Sequence, residues 1–454
     1  MGYLFLYKMY VVCLCIILTV SGANSEKLLM FMLGGCRNLY LKDYIDDLPG
    51  FKHFFAIGSR AEHVDPQFPT MTFPNHYSLV TGLYPENHGF VGNFMWDKTK
   101  NESFDMTPSP QGSKSHWWED GEPIWVTAGK QGKRTYLYNW LGCQVKIRGR
   151  TPSHCHQYSD TPKVRDGMAG FLWQSNEAVD ALINDKADLA GVYTQIVDQA
   201  ASQFTTNGEE LKGVLKWIDN ELQRIYYRLE DAGMLDAINI VIFSDRGVTE
   251  VTPKRTIHLQ KYINNNDYDI IKEFGPKVSI WPKEDNVEMV YQKLKHAHPN
   301  MTVYKKEEIP DDWHHKGHRR VAPIIAVAEL GWMIVTPEKP FPVGEDGWEY
   351  VAYHGFDPTD PQMKAMFVGV GPNFKKDVVA PSFSNVNLYQ LMCRILRIKP
   401  APNDGTWGAV QMMYQDTPEW SFWNAKIYIA IIAAICIVAT GLKTIHRRRT
   451  FKYL

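Results

Sequence analysis

Short apolar runs alternate with longer helical segments along this chain of 454 residues. The first run, Lys27 to Leu33, ends at two glycines, and similar runs recur at Leu189 to Val192 and at Asn239 to Phe243. Strands that are apolar on both faces are typical of parallel sheets covered by helices on each side. The alternation therefore predicts an α/β fold with a mostly parallel central sheet and helices on both faces.

The overall composition is that of a globular protein with a sizeable core. Hydrophobic residues make up 44% of the chain, and the formal net charge is −1 at pH 7. A near-neutral chain gives no electrostatic reason to expect a nucleic-acid partner. We therefore expect a large folded domain that binds something other than nucleic acid.

The N-terminal residues 1–23 are typical of a secretory signal peptide. An apolar run over residues 10–20 follows Lys8 and precedes three small residues that suit cleavage. The run is short for a membrane span. We expect the mature, extracellular chain to begin at Asn24.

The C-terminal segment 421–442 is predicted to be a transmembrane helix, because its apolar part is flanked by aromatic residues and followed by a basic tail over 443–454. A large ectodomain would then occupy 24–402, and a stalk 403–420. The prediction is a single-pass type I protein of the plasma membrane, with the ectodomain extracellular and the basic tail in the cytosol.

Four cysteines lie in the predicted ectodomain: Cys36, Cys143, Cys155 and Cys393. In an oxidising compartment, the second and third are close enough in sequence to close a loop, whereas the other two either pair or stay free. Two asparagines begin glycosylation motifs and would be modified if they are exposed, namely Asn101 and Asn300.

The stretch from Phe68 to Gly82 reads Phe-Pro-Thr-Met-Thr-Phe-Pro-Asn-His-Tyr-Ser-Leu-Val-Thr-Gly. Residues before a proline are biased toward extended backbone, which predicts a turn at Thr72 and a helix that starts near Pro74 or Asn75. A hydroxyl at a helix start lies beside backbone N–H groups and the positive end of the helix dipole. This placement suits a nucleophile for phosphoryl transfer.

This stretch, together with the residues that follow it up to Asn93, resembles the ectonucleotide pyrophosphatase/phosphodiesterase family of the alkaline phosphatase superfamily. The resemblance implies an alkaline-phosphatase-like α/β fold. It places Thr72 at the nucleophile position and Asn75 at the position of a residue that holds a phosphate oxygen. The segment around Cys143 is most similar to the choline-specific glycerophosphodiesterase branch, which carries a disulfide like the predicted Cys143–Cys155 pair.

The family binds two zinc ions through three aspartates, three histidines and the threonine. The resemblance implies that half of the Asp and His ligands remain, namely Asp198, Asp245 and His354. The other three positions hold Gly34, Ser202 and Arg246. Glycine has no side chain, and arginine keeps its proton and does not bind zinc. We therefore expect zinc to be absent or weakly bound, with Arg246 paired to Asp245.

These substitutions predict a cell-surface family member that has lost two-zinc hydrolysis. Such a pseudoenzyme would bind a small phosphate ester, held by Thr72, Asn75 and Arg246, or a protein partner. Two alternatives remain open. One is an active ecto-phosphodiesterase that hydrolyses choline phosphodiesters or nucleotides through Thr72, and the other is an adhesion or scaffold ectodomain.

Overall fold

The computed structural model describes residues 27–106, 111–159, 163–343, 349 and 351–416. Within these ranges, the structure contains no helix that is both long and apolar enough to cross a bilayer. This finding overturns the assignment of the chain as a single-pass type I protein of the plasma membrane, which we withdraw. The predicted signal peptide, transmembrane helix and basic tail all lie outside the described residues.

The first compact unit of the chain extends to Tyr414, beyond the predicted ectodomain boundary at residue 402. Val410 and Met413 are completely buried, and the backbone N–H of Asp404 donates to the carbonyl of Gly82. The described part of the predicted stalk is therefore packed into the domain.

Twenty strands are found in the described residues. In chain order they are β1 (Lys27–Leu33), β2 (Ser59–Ala61), β3 (Val64–Asp65), β4 (Phe94–Asp97), β5 (Glu102–Asp105), β6 (Thr135–Trp140), β7 (His154–Gln157), β8 (Leu189–Thr194), β9 (Ile238–Phe243), β10 (Thr249–Glu250), β11 (Thr256–His258), β12 (Tyr268–Lys272), β13 (Lys277–Pro282), β14 (Met301–Lys305), β15 (Ile324–Ala328), β16 (Met333–Val335), β17 (Ala352–Tyr353), β18 (Phe367–Val370), β19 (Val378–Ala380) and β20 (Phe383–Ser384).

The same ranges contain ten α-helices, besides short 3₁₀ turns. They are α1 (Asn38–Asp43), α2 (Pro49–Ile57), α3 (Thr72–Thr81), α4 (Pro85–His88), α5 (Ile124–Lys130), α6 (Val164–Ile183), α7 (Ile196–Gln203), α8 (Glu209–Asp231), α9 (Val287–Leu294) and α10 (Asn387–Ile395).

Eight strands form the central sheet, in the order β19-β2-β18-β9-β1-β8-β6-β7. Only β18 runs antiparallel to its two neighbours, β2 and β9. The predicted α/β fold is therefore confirmed, but the sheet is mixed. A second sheet, β12-β13-β15-β14, is wholly antiparallel and covers its own small core.

Strand β1 shows why the central sheet needs helices on both faces. All seven of its residues are buried. Leu28, Met30 and Met32 lie in the core layer that includes α3, whereas alternate residues, such as Phe31, pack in the layer that includes α6 and α8. Because side chains alternate across a strand, an apolar run of this kind is stable only between two apolar layers.

Candidate functional site

The candidate site lies at one edge of the central sheet, where β1, β8 and β9 end. These strands are adjacent and parallel, with β1 in the middle. Their carboxyl ends therefore bring Gly34, Asp198 and Asp245 to the same edge, although these residues are far apart in the sequence. This is the edge at which α/β proteins bind ligands.

Helix α3 supplies the predicted nucleophile. It begins at Thr72, after Met71 in extended conformation, and not at Pro74 or Asn75 as predicted. A proline in the first turn is compatible with this start, because the N–H groups of that turn have no partner within the helix. The hydroxyl of Thr72 therefore lies at the positive end of the helix dipole.

Asn75 has a different role from the predicted one. Its Oδ1 accepts hydrogen bonds from the backbone N–H of Gln67 at 2.6 Å and from Nδ2 of Asn385 at 3.0 Å. Its Nδ2 donates to the carbonyls of Gln67, Pro69 and Met71. The buried side chain thus fixes the segment that leads into α3, and the geometry does not support it as a phosphate ligand.

Asn93 is a site residue that the sequence analysis did not assign. Its Oδ1 accepts a hydrogen bond of 2.9 Å from the backbone N–H of Phe73, the second residue of α3. Its Nδ2 makes no hydrogen bond to the described residues and remains available beside Thr72. A signal was present in the sequence, because Asn93 lies within the block of family resemblance that follows α3.

Arg246 lies at the centre of the site and is almost completely buried, with 1% of its side chain exposed. Its Nη1 and Nη2 donate to the two carboxylate oxygens of Asp198 at 3.0 and 3.2 Å, and Nη2 also donates to Oγ1 of Thr72 at 3.1 Å. The predicted partner, Asp245, is farther away, with 3.7 Å between its Oδ2 and Nε of Arg246. The main ion pair is thus between Arg246 and Asp198, which corrects the expectation.

The residues at this edge do not fit a centre for two zinc ions. A Cβ atom on Gly34 would lie 2.9 Å from Oη of Tyr193, so that the tyrosine occupies the space of the missing carboxylate. Ser202 donates its hydroxyl to the carbonyl of Ala352 at 3.3 Å. No group of three or more His, Cys, Asp or Glu side chains in the described ranges is arranged to hold a metal ion.

Charge and burial shift the pKa values of the two remaining carboxylates, Asp198 and Asp245, in opposite directions. Burial raises the pKa of Asp198, but the charge and hydrogen bonds of Arg246, together with the effect of His354, outweigh burial and hold the pKa below its ordinary value. Burial raises the pKa of Asp245 above its ordinary value, against the opposing effect of Arg246. Burial and the charge of Arg246 lower the pKa of His354 to about 3, so that this imidazole is neutral at pH 7.

Because the two pKa values shift in opposite directions, removing the two charges at pH 7 is expected to have opposite effects on the free energy of unfolding. Asp198, with its lowered pKa, stabilises the fold above the unfolded value of about 3.9, and this contribution is lost as the pH falls. Asp245, with its raised pKa, stabilises the fold at acid pH and loses this contribution as the pH rises. We expect Asp198→Asn to lower the free energy of unfolding by about 2 kcal/mol and Asp245→Asn to raise it.

Urea unfolding at pH 7 and pH 4 measures both effects. The difference between wild type and Asp245→Asn is expected to shrink at pH 4, because the raised pKa of Asp245 favours its protonated form there. The destabilisation by Asp198→Asn is expected to persist at pH 4, because the lowered pKa of Asp198 keeps it ionised in the folded state. Equal destabilisation by the two substitutions at pH 7 would contradict this account.

A narrow aromatic cleft lies directly beside the start of α3. Phe73, Trp118, Leu141 and Tyr158 are among its lining residues. The hydroxyl of Tyr158 donates to Oε1 of Gln195 at 3.1 Å, which holds the ring in place. The cleft offers flat apolar surfaces next to Thr72, which suit a planar ring.

The other predicted residues lie away from the site. Cys143 and Cys155 form a disulfide with a Cα–Cα distance of 5.7 Å, as predicted, whereas the remaining described cysteines, Cys36 and Cys393, are buried and free. Asn101 is exposed, and Asn300 is half-buried with its Nδ2 donating to Glu329. Glycosylation of these two asparagines remains a prediction.

Comparison with known proteins identifies the family. The model of the family described as type I phosphodiesterase / nucleotide pyrophosphatase matches residues 28–357. The chain belongs to this family. The resemblance found in the sequence is therefore confirmed, and the partial zinc-ligand set becomes a departure from a family that is typically zinc-dependent.

Two human members of the phosphodiesterase family illustrate the similarity. The chain is 34% identical over 426 residues to bis(5′-adenosyl)-triphosphatase ENPP4 of Homo sapiens, covering 93% of this chain and 88% of the relative. It is 33% identical over 390 residues to ectonucleotide pyrophosphatase/phosphodiesterase family member 5 of Homo sapiens, covering 86% of this chain and 78% of the relative.

Solved structures of family members support the same family assignment. Human ectonucleotide pyrophosphatase/phosphodiesterase 5 superposes with a TM-score of 0.76 and 31% identity, over 86% of this chain and 100% of that chain. The same values hold for an inactive variant of the murine protein, solved in complex with AMP. The alkaline-phosphatase-like fold is thus shared along nearly the whole described domain.

Proposed function

We propose that this chain is a phosphodiesterase-family protein in which Arg246 has replaced the zinc centre, and that it binds a nucleoside phosphate ester without hydrolysing it. The observation that carries the proposal is the guanidinium of Arg246, which donates hydrogen bonds to both Asp198 and Thr72. A single protein cation thus joins a former metal ligand to the nucleophile position.

The same contacts argue against an activated nucleophile. A bound zinc ion would lower the pKa of the threonine hydroxyl and stabilise the charge that develops on phosphoryl transfer. Here the carboxylate of Asp198 is held by Arg246. Arginine remains protonated in proteins and cannot take the proton of Thr72 as a general base.

The start of α3 nevertheless suits a phosphate group. The dipole of α3 favours an anion near its N-terminus, and Arg246 contributes the positive charge that recognises phosphate oxygens. Thr72 and Nδ2 of Asn93 add two further hydrogen-bonding groups. The cleft that contains Phe73 and Tyr158 has a volume of about 20 Å³, so a base would stack on the rings at its mouth and would not enter it. The complex of the murine relative with AMP supports a nucleoside monophosphate as the ligand class.

Binding of a nucleotide phosphodiester tests this proposal. Thymidine 5′-monophosphate 4-nitrophenyl ester carries one negative charge and is titrated calorimetrically into wild type and variants. Arg246→Ala and Asn93→Ala are each expected to weaken binding at least about tenfold. Binding is also expected to strengthen toward acid pH, because the raised pKa of Asp245 allows that carboxyl group to lose its negative charge first.

Arg228→Ala is the matched control, because Arg228 forms a partly exposed ion pair with Asp180 on α8 and α6. This variant is expected to bind like wild type. Asn93→Ala keeps the test decisive if Arg246→Ala does not fold. Binding that survives both substitutions at the site unchanged would overturn the proposal, as would the absence of binding to wild type.

A further inference from the structure

A second cavity, of about 260 Å³, lies between α6 and the carboxyl ends of β6, β7 and β8. Its lining includes Asn139, His156, Trp173, Gln174 and Gln195. None of the residues of the candidate site at Thr72 lines it. The cavity is large enough for one small-molecule ring with its substituents, and nothing in the proposed function uses it.

Buried polar groups without partners face this cavity. Gln174 is only 7% exposed, yet its amide makes no hydrogen bond to any residue that the structure describes. Nδ1 of His156 is likewise buried without a partner. An unpaired buried polar group costs free energy of about 1–3 kcal/mol, so Nδ1 of His156 indicates a ligand that pairs with it. The amide of Gln174 lines the same cavity and is available to that ligand.

One wall of the cavity is an exposed aromatic ring. Trp173 has 48% of its surface exposed, which is unusual for the largest apolar side chain, and its ring meets that of His156 edge to face at 5.1 Å. Trp173 and its neighbour on α6, Gln174, both line the cavity. Trp173 therefore presents a flat apolar platform next to the unpaired amide of Gln174.

The cavity is built by rigid parts of the fold. The Cys143–Cys155 disulfide fixes β7, the strand that carries His156. Asn139 adopts a left-handed backbone with φ of 53°, accepts a hydrogen bond from the N–H of Ser159 and donates one to the carbonyl of Tyr193. These contacts hold the rim of the cavity in the absence of any ligand.

We propose that this cavity binds a neutral carbohydrate, with one pyranose ring stacked on Trp173. Among the described residues, the lining contains no Lys or Arg, and its single carboxylate, Asp166, lies at the exposed rim. A phosphate or carboxylate ligand therefore has no countercharge. Amide and hydroxyl groups from several elements surround the cavity, which matches the hydroxyl groups that a sugar projects in every direction around an apolar C–H face.

Other small ligands fit less well. A nucleobase presents its polar atoms only along the edges of one plane, whereas the polar groups here come from β6, β8 and α6. A quaternary ammonium group is held by a cage of several aromatic rings, and only one exposed ring lines this cavity within the described residues. Water alone would leave the face of Trp173 without an apolar partner.

Titration of the full-length protein with the methyl glycosides of glucose, galactose, mannose and N-acetylglucosamine tests the inference, with tryptophan fluorescence and calorimetry as readouts. At least one glycoside is expected to bind with a dissociation constant of about 1 mM or tighter. Trp173→Ala and Gln174→Leu are each expected to weaken this binding at least about tenfold, whereas Trp173→Phe retains part of it.

Tyr227→Ala is the control, because Tyr227 is a similarly exposed aromatic residue, 46% exposed, on α8. This variant is expected to bind the glycoside like wild type. The cavity shares no lining residue with the candidate site at Thr72, so the result does not depend on the nucleotide proposal. The inference would be overturned if no glycoside binds, if binding is unchanged in Trp173→Ala and Gln174→Leu, or if adenosine or choline binds at Trp173 while the sugars do not.

Discussion

Arg246→Ala is expected to lower the free energy of unfolding by about 3–5 kcal/mol at pH 7. The substitution removes the guanidinium that pairs with Asp198 and lies near Asp245, whose side chain is completely buried. Two carboxylates would then remain at the edge of the sheet without a countercharge. Breaking a buried ion pair from one side is among the most destabilising changes known, because the remaining charge stays desolvated.

The loss of stability is measured by urea unfolding and is expected to be smaller at pH 4 than at pH 7, because protonation of the carboxylates relieves their repulsion. Arg228→Ala serves as the control: this partly exposed ion pair is expected to contribute about 1 kcal/mol or less. If the two alanine variants were equally stable, Arg246 would not be the cation that holds the site together.

Wild type and Thr72→Ala are expected to hydrolyse phosphodiesters at the same background rate, even when zinc is added. Active enzymes accelerate such reactions by factors of about 10⁶ or more, so the expected difference from an active phosphodiesterase is very large. The substrates are an aryl phosphodiester and bis(5′-adenosyl) triphosphate. The physical reason is that Thr72 accepts a hydrogen bond from Arg246 and has no metal ligand set around it.

Human ENPP4, prepared in parallel, is the positive control for the second substrate, as its name describes that activity. Turnover by wild type at least about tenfold above that of Thr72→Ala would contradict the proposal. It would instead support the alternative of an active ecto-phosphodiesterase.

Local sequence patterns predicted the bounds of strands and helices well where these bounds depend only on the residues of the element itself. Lys27–Leu33 forms a strand with the predicted bounds. The helical spacing of apolar residues predicts a helix from Leu211 to Ala232, and the structure has it as Glu209–Asp231. In contrast, the sequence predicts a helix only from Asn176 to Lys186, whereas α6 begins at Val164, more than three turns earlier. The apolar run over residues 365–370 predicts a strand of the sheet, found as Phe367–Val370, but its antiparallel direction depends on partners distant in sequence.

For the candidate site too, the sequence predicted the identities of the residues but not the contacts between residues that are distant in sequence. The sequence alone identified Gly34, Ser202 and Arg246 as departures from the family's ligand set. It could not predict that Arg246 reaches across to Asp198, because sequence proximity favoured its neighbour Asp245. Only the packed structure brings the ends of β8 and β9 within hydrogen-bonding distance.

The surroundings of Gly34 leave little room for the missing ligand. Tyr193 fills the space beside Gly34, and its hydroxyl is buried without a partner. An aspartate at position 34 would therefore meet the tyrosine ring unless that ring moved. Restoring this ligand would thus require a shift of Tyr193 as well as the substitution at position 34.

The zinc content of the full-length protein tests the central claim most directly. The protein is dialysed against trace zinc and measured by elemental analysis, with Arg246→His as a comparison variant in which an imidazole replaces the guanidinium. The account predicts far less than one zinc ion per wild-type chain and a higher content in the variant. One or two tightly held zinc ions per wild-type chain would contradict it, because the guanidinium of Arg246 and a metal centre cannot both hold Asp198.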